Sequence, residues 1–352
     1  MSPSLADTLT WLVDIASETG HESRICTELA QRLYPSQGLD GIDRIGDSLI
    51  AGRRTGRPLL VLAGHTDTVP RQGQGPARVE DGRLYGLGSA DMKSGLAVMI
   101  HLLEDDEVRD GPYDLVGIFY AGEEGPAAGN ELEKVLSNAA WLANSEFAVV
   151  MEPTDGELQI GCNGVVNALL RFTGRSAHSA RPWHGENAIT KAGAFLAAMH
   201  AREPEPVEIE GLVFKEVMAV TKASGGIAGN IIPPAFDVHL NYRFAPNRSL
   251  EEAVTHLQEV CAEADEVEIV DSAPAGPVQL DAPFFHRLAE ITGAPRTAKQ
   301  GWTDVARFGQ HGIAAVNYGP GETSQAHQAG ENVALADLER VFSELRTALT
   351  AE

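Results

Sequence analysis

The chain has 352 residues, enough for one large domain or two ordinary ones, and its apolar content allows a sizeable core. Its 50 acidic and 27 basic side chains leave a net charge of −23, which argues against nucleic acid or an anionic membrane as partner, because phosphate surfaces need a positive face. No window is apolar for long enough to span a bilayer. The N-terminus lacks the basic start of a secretory leader, and Cys26, Cys162 and Cys261 are too scattered for a disulfide framework, which together point to the cytosol.

Helical periodicity covers roughly 5–17 and 23–34. Strand-like runs "DSLIAG" and "PLLVLAG" follow. Next comes a helix in "DMKSGLAVMIHLLEDD", with Leu96, Met99, Ile100 and Leu103 on one stripe. "DLVGIFYAG" reads as a buried strand, "AAGNELEKVLSNAAWLA" as a helix and "FAVVMEP" as another buried strand. Continuous apolar strands alternating with amphipathic helices predict an α/β domain: a mixed, mostly parallel sheet flanked by helices.

The pattern changes after about Gly161. "GVVNALLRFTGRSAHSA" and "AFDVHLNYRF" read as longer strands. In the second, Phe236, Val238, Leu240, Tyr242 and Phe244 share one face, and Asp237, His239, Asn241 and Arg243 the other. That alternation marks an antiparallel sheet with one covered face, and helices near 186–200 and 250–264 can cover it. Strand–helix alternation resumes with helices near 282–291 and 336–349. The expected organisation is an α/β domain from 1–163 and 277–352, interrupted by an α+β domain over 164–276. "SAPAGP" is the return linker.

Chemistry-bearing residues recur where predicted strands end. His65 and Asp67 follow "PLLVLAG", at the sheet edge where open α/β folds bind ligands. In "GLGSADMKSG", Gly86 and Gly88 allow a tight turn that projects Asp91, which could also cap the helix after it. The stretch resembles a dinucleotide fingerprint, but its sixth position is Asp91, whose charge would repel a pyrophosphate. Glu123 and Glu124 follow "DLVGIFYA". As neighbours on an extended segment they should point opposite ways, one to a metal and one free to act as a base. Glu152 follows "FAVVM", and His327 precedes the last helix. Solvated surface acids would explain each of these alone. Together they supply N and O ligands suited to zinc, enough for two ions sharing a carboxylate.

In order, "HTDTVP", "GLGSADMKSG", "GEEG", "MEPT" and "AHQAGE" resemble the motifs of the di-zinc aminoacylase/carboxypeptidase family of metallopeptidases. "GRSAHSARPWHGENAI" resembles that family's dimerisation-domain signature. "GNIIPP", "NYRFAPNRS" and "GWTDVARF" look most like its succinyl-diaminopimelate desuccinylase branch. The resemblance implies two Zn2+ per subunit, with Co2+ able to substitute. His65 and Glu152 would hold one ion, Glu124 and His327 the other, and Asp91 would bridge them. Asp67 would accept the second ring N–H of His65, and Glu123 would serve as general base and then acid. His178 would stabilise the tetrahedral oxyanion from the partner subunit of a homodimer, assisted by Asn230.

The implied substrate is a small N-acyl amino acid, N-succinyl-LL-2,6-diaminopimelate in that branch. Its carboxylates call for arginines, for which Arg181, Arg243 and Arg307 are candidates, and Thr323 and Ser324 could hydrogen-bond it. The alternatives are a different N-acyl amino acid deacylase, a carboxypeptidase or dipeptidase of the same family, a silent binding protein, and a nicotinamide-dependent oxidoreductase using "GLGSAD".

Overall fold

A computed structural model describes residues 3–34 and 41–351. The chain forms two compact units. The first comprises Met1–Gly161, Val278–Thr297 and Arg307–Glu352, and the second Cys162–Pro277 and Ala298–Ala306. The short stretch Ala298–Ala306 therefore goes with the second unit, although its sequence position placed it in the first.

The first unit is built on an eight-stranded mixed sheet. Its order is Gly41–Ile45, Ser48–Gly52, Asp114–Tyr120, Leu59–His65, Phe147–Val150, Ala315–Asn317, Leu158–Ile160 and Arg296–Ala298. The four strands from Asp114–Tyr120 to Ala315–Asn317 run parallel to one another, and the pairs on either side of them are antiparallel. They are buried along almost their whole length, which is why they read as unbroken apolar runs. Parallel alignment brings the C-terminal ends at His65, Tyr120 and Val150 to one edge of the sheet.

Asp91 reaches that region differently from the expectation that each acid follows a strand of one sheet. The strand before its loop, Arg83–Tyr85, belongs to a separate three-stranded antiparallel sheet with Arg78–Glu80 and Asn332–Ala334. The helix Lys93–Glu104 follows. Its residues from Lys93 to Ile100 are all buried, because its start lies directly against the edge of the large sheet. Gly95 makes this approach possible. A Cβ there would lie 2.4 Å from the Met151 carbonyl oxygen, so the helix start and the end of the strand Phe147–Val150 touch backbone to backbone.

The second unit is a five-stranded antiparallel sheet in the order Glu205–Ile209, Leu212–Gly225, Ala235–Phe244, Gly164–Thr173 and Glu266–Ala273. Ala235–Phe244 alternates strictly between buried and half-buried positions, as its sequence indicates. Phe172, Phe195, Leu240, Tyr242 and Leu257 lie in the core on its covered face. The strand expected to run to Ala180 stops at Thr173. The helix expected over 127–143 is three shorter pieces, Ala127–Gly129, Leu132–Asn138 and Ala140–Asn144. Leu212–Gly225 is a long strand that the sequence reading passed over: a bulge between Val220 and Lys222 breaks its period of two, and its last five residues are exposed.

Among the described residues, no helix is long and apolar enough to cross a membrane. All three cysteines are free and buried.

Replacing Gly95 with alanine tests the close helix–sheet approach. Alanine is the better helix former by about 1 kcal/mol, so propensity alone predicts stabilisation. The contact with the Met151 carbonyl predicts the reverse, a loss of about 1–3 kcal/mol from overpacking, read as a lower midpoint in chemical denaturation.

Candidate metal centre

His65 is the last residue of its strand, and its side chain is 1% exposed. Its Nδ1 lies 3.0 Å from the backbone carbonyl of Asp67, so Nδ1–H donates there and Nε2 is left facing the cluster. The Asp67 carboxylate is further from Nδ1, at 3.6 Å. Instead it accepts the Glu123 and Glu124 backbone N–H groups at 3.1 and 3.0 Å and the Thr19 hydroxyl at 3.0 Å. The expected Asp67 contact to the ring is thus made by its carbonyl, while its carboxylate shapes the loop that carries the glutamate pair.

That loop is a turn and not an extended segment. The expectation that Glu123 and Glu124 point apart fails for this reason: an oxygen of each lies within 4.8 Å of the other and of a His65 ring nitrogen. Two further groupings of the same closeness are His65, Asp91 and Glu152, and Asp91, Glu124 and His327. Asp91 is common to the last two. Its Oδ1 is 3.2 Å from His65 Nε2 and its Oδ2 is 3.7 Å from His327 Nε2. One carboxylate thus spans both imidazoles. Glu124 lies 2.9 Å from His327 Nε2, and Glu152 is buried.

Asp91 is not a helix cap. The helix starts at Lys93, after Met92, with no side-chain cap. The loop before it has positive φ at Gly86 and Gly88, at 154° and 79°. The N–H groups of Gly88, Ala90 and Asp91, where a phosphate would sit in a dinucleotide site, donate to the carboxylate of Glu331 at 2.8, 2.8 and 3.0 Å. With this carboxylate in place, and an antiparallel strand ahead of the loop, no dinucleotide cradle exists there. Glu331 lies inside "AHQAGE" but was not singled out in the sequence. Four residues after a histidine, a glutamate reads as solvated, and only the fold turns it inward.

Electrostatics explains what the cluster can bind. Burial alone would push the His65 imidazole down, but the carboxylates of Asp67, Asp91 and Glu123 outweigh it and hold the ring well above its usual range. Glu124 raises His327 in the same way, against partial burial. Burial pushes the Glu331 carboxyl up to about 7 and the fully buried Lys93 ammonium down to about 7. Three backbone N–H donors, from Asp91, Gly88 and Ala90, work against that rise and favour the carboxylate form of Glu331. Five carboxylates, from Asp67, Asp91, Glu123, Glu124 and Glu152, face two imidazoles, so negative charge remains in excess even with both rings protonated. A set of N and O donors with surplus negative charge fits divalent cations of the zinc type.

None of the other expected site residues belongs to these three groupings. In the second unit, His178 and Asn230 are exposed and sit on paired segments: His178 bridges Ile231, and the Ser179 N–H donates to the Asn230 carbonyl at 3.0 Å. Arg181 is exposed. Arg243 is half-buried on the sheet face opposite the core. It starts a chain in which Nε donates to Asn241 Oδ1 at 3.1 Å, Asn241 donates to Asn167 at 2.7 Å, and Asn167 donates to Asp271 at 3.1 Å. In the first unit Arg307 is buried and donates to the Ala127 carbonyl at 2.9 Å, with Glu133 at 3.9 Å. Thr323 and Ser324 are exposed, and the Thr323 N–H and hydroxyl both go to Asp155.

The profile of peptidase family M20/M25/M40 matches residues 61–351. The chain belongs to this family. Its fold and its cluster of potential ligands are those of a metal-dependent amide hydrolase. A Corynebacterium glutamicum protein named succinyl-diaminopimelate desuccinylase is 36% identical over 354 aligned positions, covering 96% of this chain and 94% of that protein. A Mycobacterium tuberculosis protein given the same name provisionally is 39% identical over 337 positions, 95% of each chain. Among solved structures, a Staphylococcus aureus tripeptidase superposes with a TM-score of 0.81 at 23% identity, over 98% of this chain and 97% of that one. A Bacillus subtilis protein described as a dinuclear metal-binding peptidase of the family gives 0.70 at 16% identity, over 98% and 96%. At these identities the solved structures speak for the fold alone.

Proposed function

We propose that this chain is a cytosolic di-zinc amidohydrolase that splits N-succinyl-LL-2,6-diaminopimelate into succinate and LL-2,6-diaminopimelate, the step that releases the succinylated amine on the way to lysine. The observation that carries the reaction type is Asp91, one carboxylate between His65 and His327, with Glu152 beside the first ring and Glu124 beside the second. The acyl group rests on relatives of that name at 36% and 39% identity over nearly the whole chain.

In this reading His65 and Glu152 would hold one ion, Glu124 and His327 the other, with Asp91 common to both groups. Zinc is the proposed metal, with cobalt able to replace it. Divalent ions there would supply Lewis-acid polarisation of the amide carbonyl and a lowered pKa for the attacking water. Asp67 fixes the turn at Glu123 and Glu124 through their N–H groups and turns His65 through its carbonyl. Glu123 takes the proton of the attacking water and returns it to the departing amine. His178, with Asn230 on the paired segment, donates to the oxyanion from the partner subunit of a homodimer formed by the inserted domain. Arg243 binds a substrate carboxylate, its guanidinium held by Asn241. Arg181, Thr323 and Ser324 are further substrate contacts. Arg307 contributes only if substrate replaces its present partners, Ala127 and Glu133.

A hydrolysis panel on the zinc-loaded protein tests the substrate. N-succinyl-LL-2,6-diaminopimelate should be cleaved with the highest kcat/KM, and Arg243→Lys should lower that value at least about tenfold, since lysine keeps the charge but loses the planar fork. Faster cleavage of N-acetylornithine or simple dipeptides would overturn the desuccinylase assignment and leave the amidohydrolase.

The paired glutamates separate in a second experiment. Glu123→Gln should keep its full metal content and lose about a hundredfold or more in kcat. Glu124→Gln should lose metal, read by elemental analysis after dialysis. Equal metal loss in both would end the proposed division of labour.

Subunit mixing tests the dimer. Inactive His178→Ala and inactive Glu123→Gln proteins, exchanged into mixed dimers, should regain part of the activity. No recovery after demonstrated exchange would place His178 outside the partner's site.

A further inference from the structure

We propose that Glu331 is a positioning residue for the metal centre: its side chain holds the Gly86–Asp91 loop so that the Asp91 carboxylate stands between His65 and His327. The inference rests on the metal-centre reading above and adds to it a residue that touches no metal.

The geometry is that of a small anion site filled from within the chain. Glu331 Oε1 accepts the N–H groups of Ala90 and Asp91 at 2.8 and 3.0 Å, and Oε2 accepts that of Gly88 at 2.8 Å. The Glu331 carbonyl accepts the Gly86 N–H at 3.1 Å. One residue, 2% exposed, thus receives four N–H groups from a six-residue loop. The Lys93 ammonium, just after the loop, donates to the Ile15 carbonyl at 2.8 Å and so anchors the end of the loop to a separate segment.

Glu331 also belongs to the segment that carries His327. The Glu331 N–H donates to the Gln328 carbonyl at 3.1 Å, and the His327 carbonyl accepts from the Gln72 side chain at 3.0 Å. The residue therefore joins the loop of one potential ligand to the loop of another. Asp91 must place its two oxygens toward two different rings, so a small shift of its backbone disturbs both halves of the site. Charge-assisted hydrogen bonds from backbone N–H groups resist such a shift better than neutral ones.

Glutamine at position 331 has a single acceptor oxygen. It can keep two of the three N–H groups and must turn its own NH2 toward the third. Aspartate keeps the charge but falls one methylene short. A residue that merely braces the loop would lower the stability of the metal-free protein and leave metal binding alone. A positioning residue lowers metal affinity in protein that is still folded.

The experiment titrates zinc into metal-free wild-type, Glu331→Gln and Glu331→Asp proteins against a chromophoric chelator, with thermal denaturation of each metal-free protein recorded alongside. The expected result is two zinc ions in the wild type and a fall of about 10–100-fold in affinity for at least one of them in Glu331→Gln, the range for residues that orient a ligand. Glu331→Asp should lie between the two. Wild-type zinc affinity in folded Glu331→Gln overturns the inference, whatever its melting temperature. If that variant does not fold, unchanged affinity in Glu331→Asp overturns it in the same way. A wild type that binds no zinc brings down the metal-centre reading itself, an outcome distinct from failure of the Glu331 inference alone.

Discussion

At one edge of the large sheet, Asp67, Asp91, Glu123, Glu124 and Glu152 gather around two imidazoles, and the folded chain has to compensate that charge. A buried carboxylate without partners costs several kcal/mol, so each must find donors or a cation. Asp67 is satisfied by two backbone N–H groups and a hydroxyl. His65 and His327 compensate part of the remainder by holding protons more tightly than a free imidazole does. Divalent ions compensate it more fully, because each brings two positive charges and accepts several oxygens at once. The same surplus of carboxylates is what makes the cluster a site for metal.

Backbone placement solves the rest of the problem. Gly95 lets the helix Lys93–Glu104 rest on the Met151 carbonyl, which brings Asp91 beside Glu152. Gly86 and Gly88 take the positive φ values that turn the preceding loop, and Glu331 gathers the N–H groups which that turn exposes. The motif that looked like a phosphate cradle is therefore an anion cradle in fact, filled by a carboxylate of the same chain.

The second unit follows a different physical rule. Its strand Ala235–Phe244 buries every second side chain and leaves a polar row on the other face. On that row, Arg243, Asn241, Asn167 and Asp271 form a continuous hydrogen-bonded chain. That chain fixes the Arg243 guanidinium through its Nε, which Asn241 already engages.

Apolar runs longer than three residues were readable in the sequence because burial on both sides, or on one, leaves a period. The three longer parallel strands, the helix Lys93–Glu104 and the strand Ala235–Phe244 all carry that imprint. Strands of three residues, such as Arg83–Tyr85 and Asn332–Ala334, are too short to carry one, and the bulge in Leu212–Gly225 erases it. The identities of His65, Asp91, Glu123, Glu124, Glu152 and His327 were likewise legible, since a polar residue at the end of a buried strand or in a glycine turn stands out against its surroundings. Their arrangement was not. That Asp67 uses its carbonyl for the ring and its carboxylate for the glutamate turn, that Glu123 and Glu124 lie together, and that Glu331 holds the Asp91 loop from some 240 positions away in the chain depend on backbone groups meeting in space. A sequence shows which side chains are present. Which N–H groups remain for them to bind is decided only when the chain has folded and its secondary structure has used the others.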